Sequence, residues 1–144
     1  MLTAEIKDFV NGQKLGYVAT VSEKGRPNIS PKGTIIPYDD ETLAFADIRS
    51  PDTVRNIRAN PHIEINIVDP LIRRGYMFQG TARIADRDAH DSLVSRYKKA
   101  GIKSEIKSTI LVRVTKVSPV TSPLYDLGMT EDEIRLAWRG RLGL

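Results

Sequence analysis

LAFADIRSPDTVRNIRANP, residues 43–61, decides how the rest of the chain is read. Leu43, Phe45 and Ile48 are apolar and lead into a polar corner, so the first part reads as a strand. Ser50-Pro51 is a helix-start signal. Serine accepts from orphan amides, and proline fits the first helical position, where no N–H is needed. Val54 and Ile57 then share one face of the helix, with Arg55, Asn56 and Arg58 on others. Asn60-Pro61 ends it, because the residue before proline is pushed out of the α region. A helix start with free amides, Ser50, Thr53 and flanking Arg49 and Arg55 suits an anion, a phosphate dianion above all. The same residues also serve as plain caps on a surface helix, where the dipole contributes only about 0.3–1 kcal/mol.

The composition narrows the classes. A chain of 144 residues is enough for one domain with one buried core. Cysteine is absent, which removes disulfides, thiolate metal sites and a cysteine nucleophile, and is consistent with a reducing cytoplasm, the expected location. His62 and His90 are the only histidines and lie far apart, so no histidine-rich metal site is expected. No apolar run approaches the ~20 residues of a membrane span, and the N-terminus lacks a signal-peptide layout. The net charge of +4 favours anionic partners. The basic residues are scattered, however, and give no nucleic-acid footprint.

Outside the opening stretch the chain reads as short strands joined by turns. A helix is expected over residues 3–11, capped by Thr3, and strands over 15–22, 28–38, 42–48, 62–69, 75–85 and 108–117. The 28–38 strand is unusual, because Pro31, Gly33 and Pro37 all lie inside it. A helix over 86–100 has Ala89, Leu93, Val94 and Tyr97 on its core face. Residues 120–127 hold turn-like breaks. Thr130 and Glu133 form a capping box that starts a final helix, about residues 130–139. Six or so strands with links too short for crossovers predict a mainly β fold, an antiparallel barrel with peripheral helices, in a single domain over 1–144.

Four pieces in this order carry a family likeness: YVATVSEKGRPNISPKG (17–33), FADIRSPDTVRNIRANP (45–61), HIEINIV (62–68) and GTARI (80–84) leading into a helix. Residues 4–117 resemble the pyridoxamine 5'-phosphate oxidase-like, FMN-binding split-barrel family. The resemblance implies a six-stranded antiparallel split barrel, a homodimer and an FMN at each of two sites between the subunits. It implies phosphate contacts at Ser30, Lys32, Arg49, Ser50, Thr53, Arg55 and Asn56. The flavin ring would lie along the backbone of Ser30, Pro31, Lys32 and Gly33, which gives the unusual proline and glycine a purpose. A bulge at a barrel corner is the other reading of those two residues. The family often has a basic residue just inside the short helix, where this chain has Asp52 and Thr53. The Arg-x-His pattern of the vitamin-making oxidases is also missing near the C-terminus.

The activity implied is flavin-dependent oxidoreduction of a small substrate. A deazaflavin-using reductase and a non-catalytic flavin carrier or sensor are the alternatives. Flavin enzymes need few catalytic side chains, since the cofactor carries the chemistry, and no catalytic residue is singled out. Arg74, Gln79 and Trp138 are candidate contacts to a partner subunit. Trp138 serves equally as a staple for the last helix, and Gln79 as an ordinary outward strand residue.

Overall fold

The computed structural model describes residues 1–144. Seven strands form one antiparallel sheet: β1 (Gly16–Val21), β2 (Pro27–Lys32), β3 (Ile36–Pro37), β4 (Thr42–Asp47), β5 (His62–Asp69), β6 (Arg74–Ile84) and β7 (Ser108–Thr121). Their order is β2-β1-β5-β6-β7-β4-β3, and the curled sheet is a split barrel. Helices α1 (Ala4–Gln13), α2 (Pro51–Ala59), α3 (Arg87–Lys99) and α4 (Glu131–Leu142) lie around it. No helix is long and apolar enough to cross a membrane.

The count is seven and not six because the expected 28–38 strand divides. Residues 27–32 pair with β1, and residues 36–37 pair with β4, at the opposite edge of the sheet. The chain therefore leaves one ladder at Gly33 and joins another. The β1–β2 register is continuous through Lys32, so Pro31 and Gly33 mark a strand exit and not a bulge. Pro31 and Pro37 both lie on edge strands, where a missing N–H costs no ladder bond. Pro119 is tolerated similarly. β7 extends beyond the expected residue 117 to Thr121, but past Arg113 it pairs with β6 alone.

Alternation fills the barrel. Val18, Leu43, Phe45, Ile65, Ile67, Phe78, Ile110 and Val112 point inward and are fully buried. Strand β4 is buried on both faces, which explains its near-continuous apolar sequence. Leu43 and Phe45 face the barrel, while Ala44 and Ala46 pack with Leu111 against Leu93 and Tyr97 of α3. Gly80 breaks the β6–β7 register in a bulge. A Cβ there would stand 2.2 Å from the Arg113 carbonyl oxygen, so only glycine permits the approach.

The expected helix starts hold at Thr3, Asp86 and Thr130, each accepting from an amide of the first turn. At α2 the expectation is corrected. Ser50 stands at the N-cap position but makes no side-chain cap, because its hydroxyl is engaged elsewhere. The last helix runs to Leu142, beyond the expected 139.

Candidate functional site

Strand exit at Gly33 and helix entry at Pro51 meet at one corner of the barrel. On β2, Ser30 and Lys32 alternate inward while Pro31 stays exposed. Lys32 is only 6% exposed, and its Nζ rests against Ser50 Oγ and 6.0 Å from the centre of the Phe45 ring. Ser30 Oγ lies 3.4 Å from the same Ser50 hydroxyl. This competition explains why Ser50 does not cap its helix: a buried ammonium requires an acceptor more than an exposed first turn does.

No carboxylate comes within 4.0 Å of Lys32, which joins none of the ion pairs in the molecule. Asp47, itself 5% exposed, is the carboxylate whose charge acts on Lys32, but its Oδ1 accepts the Ser50 N–H at 2.9 Å. Burial pushes the Lys32 ammonium below the ordinary lysine range, and Asp47 only partly opposes this. The corner opens to solvent as a cleft of about 350 Å³, lined by Ser30, Pro31, Lys32, Gly33, Thr34, Ala46, Ile48, Arg49 and Ser50. Exposed Arg49 stands at its mouth.

This donor set suits a phosphate. One ammonium and two hydroxyls meet at this cleft, with Arg49 in its lining, and a charge taken out of water is incompletely matched until an anion arrives. Six of the residues expected to contact phosphate or flavin line this one cleft: Ser30, Pro31, Lys32, Gly33, Arg49 and Ser50. The other three lie elsewhere. Thr53 is buried under α2, and Asn56 Nδ2 donates to Thr20 Oγ1 at 3.0 Å. Arg55 turns to a neighbouring groove and pairs with Asp52 at 3.0 Å. Asp52 thus faces Arg55 and not Lys32.

The candidate partner contacts are dispersed in the single chain. Gln79 donates to Glu64 Oε1 at 2.8 Å on a groove of about 490 Å³ across β1, β5 and β6, more apolar than the Lys32 cleft. Arg74 lies 4.8 Å over the Tyr125 ring. Trp138 stacks against the Arg73 guanidinium at 3.4 Å, fastening α4 to the β5–β6 turn. Arg73 itself has a left-handed backbone, at φ 55°.

Two contributors escaped the sequence reading. Asp47 is one, though an aspartate three residues before an N-cap serine is a local hydrogen-bonding signal. Thr34 is the other. Its Oγ1 accepts the Ala46 N–H at 3.0 Å and its carbonyl accepts from Tyr97, contacts with no local signature.

The family model described as Pyridoxamine 5'-phosphate oxidase matches residues 2–121. No curated protein sequence matches the chain. Among solved structures, HupZ from Group A Streptococcus is 33% identical, with 85% of this chain and 96% of that one covered at a TM-score of 0.76. An FMN-binding protein from Syntrophomonas wolfei is 14% identical, covering 84% and 87%, with a TM-score of 0.69. The haem storage protein HutZ from Vibrio cholerae is 21% identical, covering 81% and 93%, with a TM-score of 0.63. A protein named F420 reductase is 24% identical, covering 81% and 98%, with a TM-score of 0.61. These last three share the fold.

Proposed function

From a chain that belongs to the pyridoxamine 5'-phosphate oxidase family, we propose a homodimeric flavoprotein that binds FMN with its phosphate in the Lys32 cleft. The observation that carries this reading is the buried Lys32 side chain, flanked by hydroxyls, lining a cleft open to solvent and without a carboxylate in ion-pair contact. The name of the Syntrophomonas wolfei structure gives further support for a flavin. Bound FMN would supply the redox chemistry, exchanging a hydride or electrons with a small substrate. Lys32, Ser30 and Ser50 would hold the phosphate, and Arg49 would add charge at the mouth. The exposed edge at Pro31 and Gly33 would leave a flat flank for the ring. Thr53 and Asn56 would act indirectly, by fixing α2 on the barrel.

The dimer is supported by the outer face of the β1–β2 hairpin. Tyr17 lies opposite Pro31 and Ala19 opposite Ile29, with Tyr17 49% and Ile29 68% exposed. An apolar stripe of this kind beside the cleft suits a second copy of the chain. Ile29→Asp should shift the assembly to monomers in light scattering, and a wild-type monomer at all concentrations would remove the proposal.

The deciding experiment titrates the purified protein with FMN and riboflavin by flavin fluorescence, and with a deazaflavin and hemin by absorbance, since relatives of the same fold are named for such ligands. FMN should saturate at micromolar concentration and bind at least about tenfold tighter than riboflavin, one decade being 1.4 kcal/mol. Tighter binding of hemin or the deazaflavin, or no binding of FMN, would overturn the assignment. Anaerobic reduction of the bound flavin, followed by reoxidation with candidate acceptors, separates an enzyme from a carrier.

A further inference from the structure

Helix α3 contributes no residue to the Lys32 cleft, yet it is bonded to the segment that shapes it. Tyr97 is 3% exposed, and its hydroxyl donates to the Thr34 carbonyl at 2.8 Å. Thr34 immediately follows Gly33, where the chain leaves β2. Its own hydroxyl is taken by the Ala46 N–H, one residue before Asp47. One turn of backbone is therefore held from two sides, by a phenol from α3 and by strand β4. Arg96 adds a second contact from α3, to strand β3 just beyond this connection, donating to the Pro37 carbonyl at 3.3 Å.

We propose that Tyr97 is a positioning residue for the cleft: by anchoring Thr34 it fixes where β2 ends and so keeps the Lys32 ammonium buried against Ser50. The chemistry favours this. Residues 33–35 pair with neither β1 nor β4 and have no ladder to fix them. A buried carbonyl outside a ladder needs a donor, and Tyr97 supplies it. Burial also raises the phenol above its ordinary pKa, so it remains a protonated donor throughout the physiological range. Without that bond the segment can relax toward water, and Lys32, costly to bury, can follow it out.

The ligand half of the test rests on the phosphate reading above, so two readouts are paired. The first is the ratio of FMN to riboflavin affinity in Tyr97→Phe, which removes one oxygen and keeps the ring in the core. FMN should weaken about fivefold, the scale of one net hydrogen bond, and riboflavin less than about twofold. The second is the rate at which Lys32 is acetylated in the ligand-free protein, followed by peptide mass spectrometry. It should rise several-fold in Tyr97→Phe.

Leu93→Val is the control for general loosening. Leu93 packs in the same cluster as Tyr97 and makes no polar contact with the loop. It should lower the melting temperature while moving neither the ratio nor the Lys32 rate. Unchanged Lys32 reactivity in Tyr97→Phe, or an equal rise in Leu93→Val, overturns the proposal. If wild type binds FMN and riboflavin equally but Lys32 reactivity still rises in Tyr97→Phe, the phosphate assignment fails and the positioning role stands.

Discussion

Lys32→Met separates the charge of the cleft from its shape. Methionine is unbranched and adaptable, so it fills much of the path that the lysine stem occupies. The ammonium and its contact with Ser50 are lost. A hydrogen bond to a charged group contributes roughly 1.5–3 kcal/mol, so FMN should bind about tenfold to a hundredfold more weakly, and riboflavin should be unaffected. Stability should move the other way or not at all. At Lys32 burial outweighs the attraction of Asp47, so the native site disfavours the charge it carries. Thermal unfolding should hold or rise. The same imbalance sets a pH signature. Between the lowered native value and 10.5 the unfolded chain holds a proton that native Lys32 has released, so native stability rises with pH there. FMN affinity should fall through that window as the ammonium is lost, and again below about pH 6, where the phosphate becomes a monoanion. Only the alkaline loss should vanish in Lys32→Met. Equal weakening of FMN and riboflavin, with a melting temperature lowered by more than about 5 °C, would refute the reasoning and make Lys32 a structural residue.

Arg49→Ala should weaken FMN about tenfold and leave riboflavin alone, whereas Arg55→Ala should change neither, because Arg55 lines another groove; competitive titration reads both. Asp52→Lys breaks an exposed pair with Arg55, so it should cost less than about 0.5 kcal/mol and leave FMN affinity within about twofold. Tighter FMN binding in that variant would place position 52 at the phosphate after all. Gly80→Ala forces β6 away from the Arg113 carbonyl and should lose at least about 2 kcal/mol in urea unfolding, with no selective effect on FMN.

Local signals carried the reading where the cause was local. The β4–α2 corner was legible because Ser50-Pro51 and Asn60-Pro61 act on their neighbours, and the structure places α2 at Pro51–Ala59. The capping box at Thr130 was legible for the same reason. What failed depended on distant partners. The 28–38 segment reads as one strand because nothing within it reports that its halves pair at opposite edges of the sheet. Ser50 reads as a cap because Lys32, 18 residues earlier, is what claims its hydroxyl. Tyr97 reads only as a core residue, since its acceptor is 63 positions away. Thr53, Arg55 and Asn56 illustrate the same limit within one helix. Sequence puts them beside Ser50, but the rotation of α2 on the barrel sends Thr53 and Asn56 inward and Arg55 outward.

The division of that strand has a consequence for assembly. β1–β2 and β3–β4 are two hairpins, each able to form from neighbouring residues, whereas β4 joins β7 only across a long stretch of chain. The three residues between β2 and β3 tie the hairpins together, and Lys32 and Ser50 meet only when both are docked. The cleft therefore exists in the completed split barrel and in no partly built form that lacks this docking. A ligand held there acts by mass action on that docking, adding RT ln(1 + [L]/Kd) to the native state. Hydrogen exchange should report it as slower opening of the β2 and β4 amides together, on strands that never pair with each other.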